Sequence, residues 1–180
     1  MHNRRVKSVL RHTDNLTPNE RRKAMRAVRS RDTAPERRVA SALKAIGIRF
    51  REQADDLPGN PDFVLPGLRA AVFVQGCFWH VHGCRSVTPR ANRSYWKGKL
   101  ASNARRDRRV RRALNRLGWS VVAVWECQLG PGVDVPTRTV LRAVLRARQT
   151  GYQSPVRQLL LTKLAKINLP SWSSERRRGR

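Results

Sequence analysis

Apolar and polar positions change period along this chain, and each period predicts an element. Thr17-Pro18-Asn19-Glu20 is a capping box with proline at the first helical position, and predicts a helix from Pro18 to about Val28. Only Ala24, Met25, Ala27 and Val28 interrupt its arginines and lysines. That is too little apolar surface for a core helix, so it is expected on the domain surface or on a partner. Thr33-Ala34-Pro35-Glu36 opens a second helix in the same way, but here Val39, Leu43 and Ile46 recur at helical spacing and Gly47 supplies a C-cap. This helix belongs to the core. Ile48 to Arg51 reads as a short strand, and Leu57-Pro58-Gly59-Asn60-Pro61 as a turn. Asp62 to Leu65 and Leu68 to Val74 then read as the two arms of a hairpin turned at Pro66-Gly67.

A loop over 85–93 precedes the longest periodic segment, about Ser94 to Leu117. Trp96, Leu100, Ala104, Asp107, Val110, Leu114 and Leu117 lie along one stripe of it, and Gly118 ends it. Trp119 to Trp125 is a near-continuous apolar run, which predicts a strand buried on both faces. An amphipathic helix over about Pro136 to Arg148 carries Val140, Leu141, Val144 and Leu145, and a last helical segment is expected over Val156 to Ile167. Helices flanking a hairpin and a buried strand predict an α/β domain with a mixed central sheet. Residues 1–16 are basic and aperiodic, and read as a mobile arm. The domain occupies 17–150, and 151–180 is a helical extension with a basic disordered tail.

Charge changes the picture from fold to partner. The net charge is +27 and the isoelectric point about 11.9, mostly from arginine, so the expected partner is a polyphosphate, DNA or RNA. No segment reaches the eighteen or so apolar residues of a spanning helix, and the N-terminal stretch lacks the apolar core of a signal peptide. These features predict a cytoplasmic, nucleoid-associated protein. An odd count of three cysteines in a reducing compartment argues against a disulfide framework.

The densest chemistry is Ala71 to Cys84, AVFVQGCFWHVHGC, where a β-branched run meets two cysteines and two histidines. Cys77, His82, Cys84 and the distant Cys127 make a four-ligand set of three thiolates and an imidazole, with no open position, as in a structural zinc site. The spacing leaves His80 as an alternative ligand to His82. Asp62 opens a strand that pairs with the one leading to Cys77. A carboxylate there ordinarily serves a turn, but His80 on a nearby loop and Asp107 on the apolar stripe of the long helix suggest a shared site. Asp107 stands among Arg105, Arg106, Arg108 and Arg109, so an ion pair is its plainer reading, and Glu36 is already explained as a capping residue. Together these groups suit metal-assisted phosphodiester hydrolysis, with Mg²⁺ on Asp62 and His80 relaying a proton. Phe78, Trp79 and Trp96 either pack in the core or stack on bases.

The stretches MRAVRSRDTAPERRVASAL, LPGNPDFVLP, VFVQGCFWHVHGC, YWKGKL, NARRDRRV and LGWSVVAVWEC resemble the very-short-patch repair endonucleases, over about Lys23 to Leu129. The resemblance implies a restriction-endonuclease-like fold with a structural zinc site, and a Mg²⁺-dependent nick in double-stranded DNA. The nick falls 5′ of the thymine in a T:G mismatch left by 5-methylcytosine deamination. It implies Asp62 as the metal-binding catalytic aspartate, Val74 as a second metal contact through its carbonyl, His80 as the catalytic histidine, Asp107 as its partner and Glu36 nearby. It further implies Cys77, His82, Cys84 and Cys127 as the Zn²⁺ ligands, Phe78, Trp79 and Trp96 as a wedge beside the mismatch, and Met25 on the minor-groove side. Where the family carries a histidine before Gly-Cys, this chain has Gln75, which hydrogen-bonds but does not titrate. Val74 and Gly76 hold the places of the second acid and lysine of the wider nuclease superfamily. A monomer is expected, with other DNA-repair proteins as further partners. The competing readings are a catalytically silent, zinc-stabilised DNA-binding protein and a restriction-type nuclease of ordinary duplex.

Overall fold

The computed structural model describes residues 16–27, 31–84, 89, 91–130, 134–147 and 162. Helix α1 spans Pro18–Ala27, α2 Ala34–Ile46, α3 Arg93–Arg116 and α4 Asp134–Ala147; strands β1 to β4 span Arg51–Glu52, Phe63–Leu65, Ala70–Gln75 and Ser120–Trp125. Apart from Leu16 and Thr162, the N-terminal arm, the last predicted helix and the C-terminal tail lie outside the described residues, as do 85–88 and 90 of the expected loop. Among the described residues no helix is long and apolar enough to cross a membrane.

The strands form one mixed sheet in the order β1-β2-β3-β4. β1 and β2, and β2 and β3, pair antiparallel, whereas β4 runs parallel to β3 with α3 as the crossover. One face is covered by α2 and α4. Val39, Leu43 and Ile46 from α2 and Val140 and Val144 from α4 close over Phe63, Leu65, Val72, Val122 and Val124. This is the core the α2 periodicity predicted, and Gly47 caps the helix at φ 70 with its N–H on Lys44 O.

Four expectations are corrected. The first strand is Arg51–Glu52 rather than Ile48 to Arg51. Ile48 is still tied by its N–H to Leu43 O, and Phe50 is turned edge-on against Phe63 at 5.5 Å, so ladder pairing starts only at Arg51↔Val64. The hairpin corner is a short 3₁₀ turn, Pro66–Leu68, which moves the start of β3 to Ala70. Finally, β4 is not buried on both faces: Val122 and Val124 enter the core, while Val121 and Ala123 line an open cleft. That cleft is the functional consequence of the sheet. The stripe of α3 also ends earlier than expected, because Leu117 is the C-cap, where the helix unwinds into solvent.

Gly59 ties the turn before β2 to α3. Its φ is +81, and a Cβ built on it would lie 2.4 Å from Val110 Cγ1. Left-handed backbone costs a side chain about 1–2 kcal/mol and overpacking about 1–3 kcal/mol. Gly59→Ala is therefore expected to lower unfolding stability by about 2–5 kcal/mol in denaturant titrations; a loss below about 0.5 kcal/mol, the scale of ordinary surface changes, would rule out this packing.

Candidate active-site cleft and metal centre

The cleft opens where β3 outruns its cover. Ala70, Ala71 and Val72 are buried, but Phe73, Val74 and Gln75 are half-exposed at its floor. Its volume is ≈ 800 Å³, and Asp62, Glu36, Gln75, His80 and Asp107 all line it. Asp62 sits one residue before β2, where its Oδ2 accepts the N–H of Val74 at 2.6 Å. Burial, followed by the charge of Glu36, pushes its carboxyl up to about 6, against the lowering pull of the Val74 hydrogen bond. Asp62 has no cationic partner among the described residues, so a desolvated carboxylate faces the cleft beside a second acid. A divalent cation there relieves both, and the donor set fits one.

Glu36 does the capping assigned to it and lines the cleft as well. Thr33 Oγ1 donates to Glu36 Oε1 at 2.7 Å and accepts the Glu36 N–H at 3.5 Å. His80 Nδ1 is 2.6 Å from Asp107 Oδ2, so the second ring nitrogen, Nε2, is the one left for the cleft. Arg106 Nε lies 3.9 Å from Asp107 Oδ1, so the ion-pair reading of Asp107 survives alongside the histidine contact. Gln75 lines the same cleft, with no side-chain hydrogen bond among the described residues.

The loop after β3 divides its histidines between two places. Val81 holds φ 54, a conformation unusual for a β-branched residue, and separates His80 on Asp107 from His82. His82 joins Cys77, Cys84 and Cys127, and one ligand atom from each lies within 4.8 Å of all the others. A tetrahedral zinc with thiolates at ~2.3 Å needs sulfur–sulfur separations of about 3.8 Å, which this cluster meets with small adjustments. Burial and the crowding of Cys77 and Cys84 push the Cys127 thiol up to about 12, so three thiols packed this closely call for a cation among them. His82 is further held by stacking on Trp125, with ring centroids 4.1 Å apart. The parallel pairing of β3 with β4 explains the long spacing: it sets the ends of the two strands side by side, Gln75 opposite Trp125.

Beside the cleft stands an aromatic cluster. Phe78 meets Trp79 at 5.0 Å and Trp96 at 5.3 Å, all close to edge-on, and Trp96 meets Tyr95 at 5.2 Å. Phe78 and Trp79 are half-exposed, whereas Trp96 is 6% exposed and forms the foot of the cluster. Two contributors escaped the sequence reading. Asn103 Nδ2 donates to Trp79 O at 3.0 Å, so α3 holds consecutive loop residues from positions one turn apart, Asn103 and Asp107. A polar residue on the inward stripe was the available signal. Arg21, on α1, is 5% exposed and lies over the Tyr95 ring at 4.9 Å, which docks the basic helix against α3. Met25 is half-buried on α1.

Comparison with known proteins decides the family. A family model described as DNA mismatch endonuclease Vsr matches residues 13–86. The type II nicking enzyme V.XorIIP of Xanthomonas oryzae pv. oryzae is 49% identical over 118 residues, 65% of this chain and 87% of the relative. The DNA mismatch endonuclease Vsr of Escherichia coli K12 is 48% identical over 110 residues, 61% of this chain and 70% of the relative. The chain belongs to the Vsr family. It is thus a DNA-acting endonuclease of a DNA-repair family, and its mixed sheet with flanking helices is the restriction-endonuclease-like fold of Vsr proteins. Among similar relatives, the type II nicking enzyme V.NaeI of Lentzea aerocolonigenes is 40% identical over 111 residues, 59% of this chain and 67% of the relative.

Proposed function

We propose that this endonuclease nicks one strand of double-stranded DNA on the 5′ side of the thymine in a T:G mismatch, by Mg²⁺-dependent hydrolysis. The observation that carries the reading is the shared frame of the site: the loop after β3 and helix α3 carry both the His80–Asp107 pair and the aromatic cluster, and set them at the cleft that Asp62 and Glu36 line. Asp62 and the Val74 carbonyl are the groups that would hold the metal. A bound Mg²⁺ supplies Lewis-acid charge to the scissile phosphate and lowers the pKa of an attacking water.

The chain's own residues do the rest. Asp107 accepts the Nδ1 proton of His80 and so presents Nε2 to the cleft, where it takes a proton from the attacking water or hands one to the departing oxygen. Gln75 orients water or phosphate by hydrogen bonding and carries no proton, so proton transfer falls to His80. Trp79 and Phe78, propped on Trp96 and held through Asn103, press on the base stack beside the bond to be cut. A T:G wobble pair is easier to distort than a matched pair, and deformation itself then selects the target. Cys77, His82, Cys84 and Cys127 would hold a Zn²⁺ that fixes this loop, and a set of four protein ligands would leave such an ion a structural role rather than one in hydrolysis. Met25 on α1 reaches the minor groove from the opposite side.

The test is a nicking assay with Mg²⁺ on duplexes identical except for T:G, C:G or T:A at one position. Cleavage of the T:G duplex alone is expected. Equal cutting of all three would sink mismatch selection and point to a restriction-type nuclease, whereas tight binding without any cutting would make the protein a silent binder.

A further inference from the structure

The two faces of α3 have different chemistry, and the cleft uses only one of them. Trp96, Leu100, Asn103, Asp107, Val110 and Leu114 occupy the inward face, buried or half-buried. On the opposite side Arg105, Arg109, Arg112 and Arg116 follow one another at spacings of four and three residues, and all four are exposed. None of the four has an acidic partner among the described residues; Arg116 Nε reaches only the carbonyl of Arg112, at 3.5 Å. Like charges at this spacing repel and weaken a helix unless an anion lies along them. The stripe extends for about 16 Å at the rise of an α-helix. A straight row of fixed cations of that length suits the few successive phosphates that a duplex strand presents on one side before it winds away. Arginine is suited to such a contact because its planar fork takes phosphate oxygens bidentately. A duplex lying in the cleft cannot supply them, since the full thickness of α3, about 10 Å, lies between.

We infer that the outer face of α3 is a second, non-catalytic binding site for a DNA phosphodiester backbone, which holds another duplex segment while the cleft is occupied. On the proposed reading that the cleft engages DNA, a further stretch of the same polyanion is always near, and DNA is the occupant. The contact is independent of sequence and lets the enzyme stay on DNA while it searches.

The experiment counts bound duplexes. Full-length protein is titrated without Mg²⁺, at low salt, with a short T:G duplex too small to reach both faces of α3. Two duplexes per chain are expected, the weaker one indifferent to the mismatch. The triple variant Arg105→Gln, Arg109→Gln, Arg112→Gln should bind one, and should nick the short T:G duplex at an unchanged single-turnover rate. In the single variant Arg109→Gln, which keeps the weaker duplex, the slope of its log affinity against log salt should be shallower by about 0.9 if that arginine neutralises one phosphate. Lysine at the same three positions should restore the second duplex, which separates charge from folding. Saturation of the parent protein at one duplex would overturn the proposal. So would loss of short-duplex nicking in a folded triple variant, or preference of the stripe for anionic lipid vesicles over duplex. Because the count is made without Mg²⁺, it stands or falls separately from mismatch selection.

Discussion

Asp62→Asn is expected to reduce nicking by about 10³-fold or more while leaving DNA binding intact, and to raise the melting temperature of the metal-free protein at pH 7. The loss follows from removing the charge that would hold Mg²⁺, a contribution of several kcal/mol to transition-state stabilisation. The gain in stability follows from the environment of the carboxylate. Burial and Glu36 raise it to about 6 in the folded protein, from 3.8 when free. Between those values the folded state holds more protons than the unfolded one, so stability falls as pH rises through the window and the penalty is complete above it. Two pH units correspond to a ceiling of about 3 kcal/mol, and the group's partial exposure brings the expected gain to about 1–3 kcal/mol. Asparagine is isosteric and still accepts the Val74 N–H, so the cleft keeps its shape. The check is a pair of melting curves without divalent metal. The variant and parent should converge near pH 4 and separate above pH 6; an equal difference at both would disprove the titration account. Full activity in the variant would remove Asp62 from the reaction altogether.

The second large effect concerns the metal cluster. Cys127→Ser, or chelation at elevated temperature, is expected to release one tightly held zinc per chain and abolish nicking. Stability should fall by several kcal/mol, less than the about 10–16 kcal/mol that zinc supplies to peptides whose whole fold depends on it. The smaller figure reflects a core formed by Val39, Leu43, Val72, Val122 and Val140 that does not touch the site. Nicking should be lost because Cys77 and His82 bracket Phe78, Trp79 and His80 in the chain, so a metal held there would clamp both ends of the segment proposed to carry the wedge and the proton relay. Metal analysis of protein purified without chelator checks the first half of this expectation, and single-turnover nicking the second. A stoichiometry of zero in folded, active protein would refute it.

Together the two variants separate the roles of the cleft and the loop. Loss at Asp62 leaves the loop formed and the DNA grip unchanged, whereas loss at Cys127 frees Trp79 and His80 at once. The hydrogen bonds from α3, through Asn103 and Asp107, then act on a loop with no fixed base.

Much of this architecture was determined by sequence alone. Helix periods depend on neighbours three and four residues away, so α2 with its caps at Thr33 and Gly47, and the body of α3, were readable from local pattern. The same holds for the hairpin arms and for the chemistry of Ala71 to Cys84, where residue types that bind metal and stack on bases are adjacent in the chain. The resemblance to Vsr proteins came from these same stretches. What only the tertiary structure decided depends on contacts between distant segments. The parallel register of β3 and β4 brings Cys127 to Cys77 and leaves one face of β4 open as a cleft wall, against the expectation of a strand buried on both sides. It also decides that His80 turns to Asp107 while His82 turns to the thiols, a choice that composition and spacing left open. Asn103 and the docking of Arg21 on Tyr95 were invisible for the same reason. A side chain's chemistry is local, but the partner that gives it a role is set by the sheet and by the one long helix that crosses it.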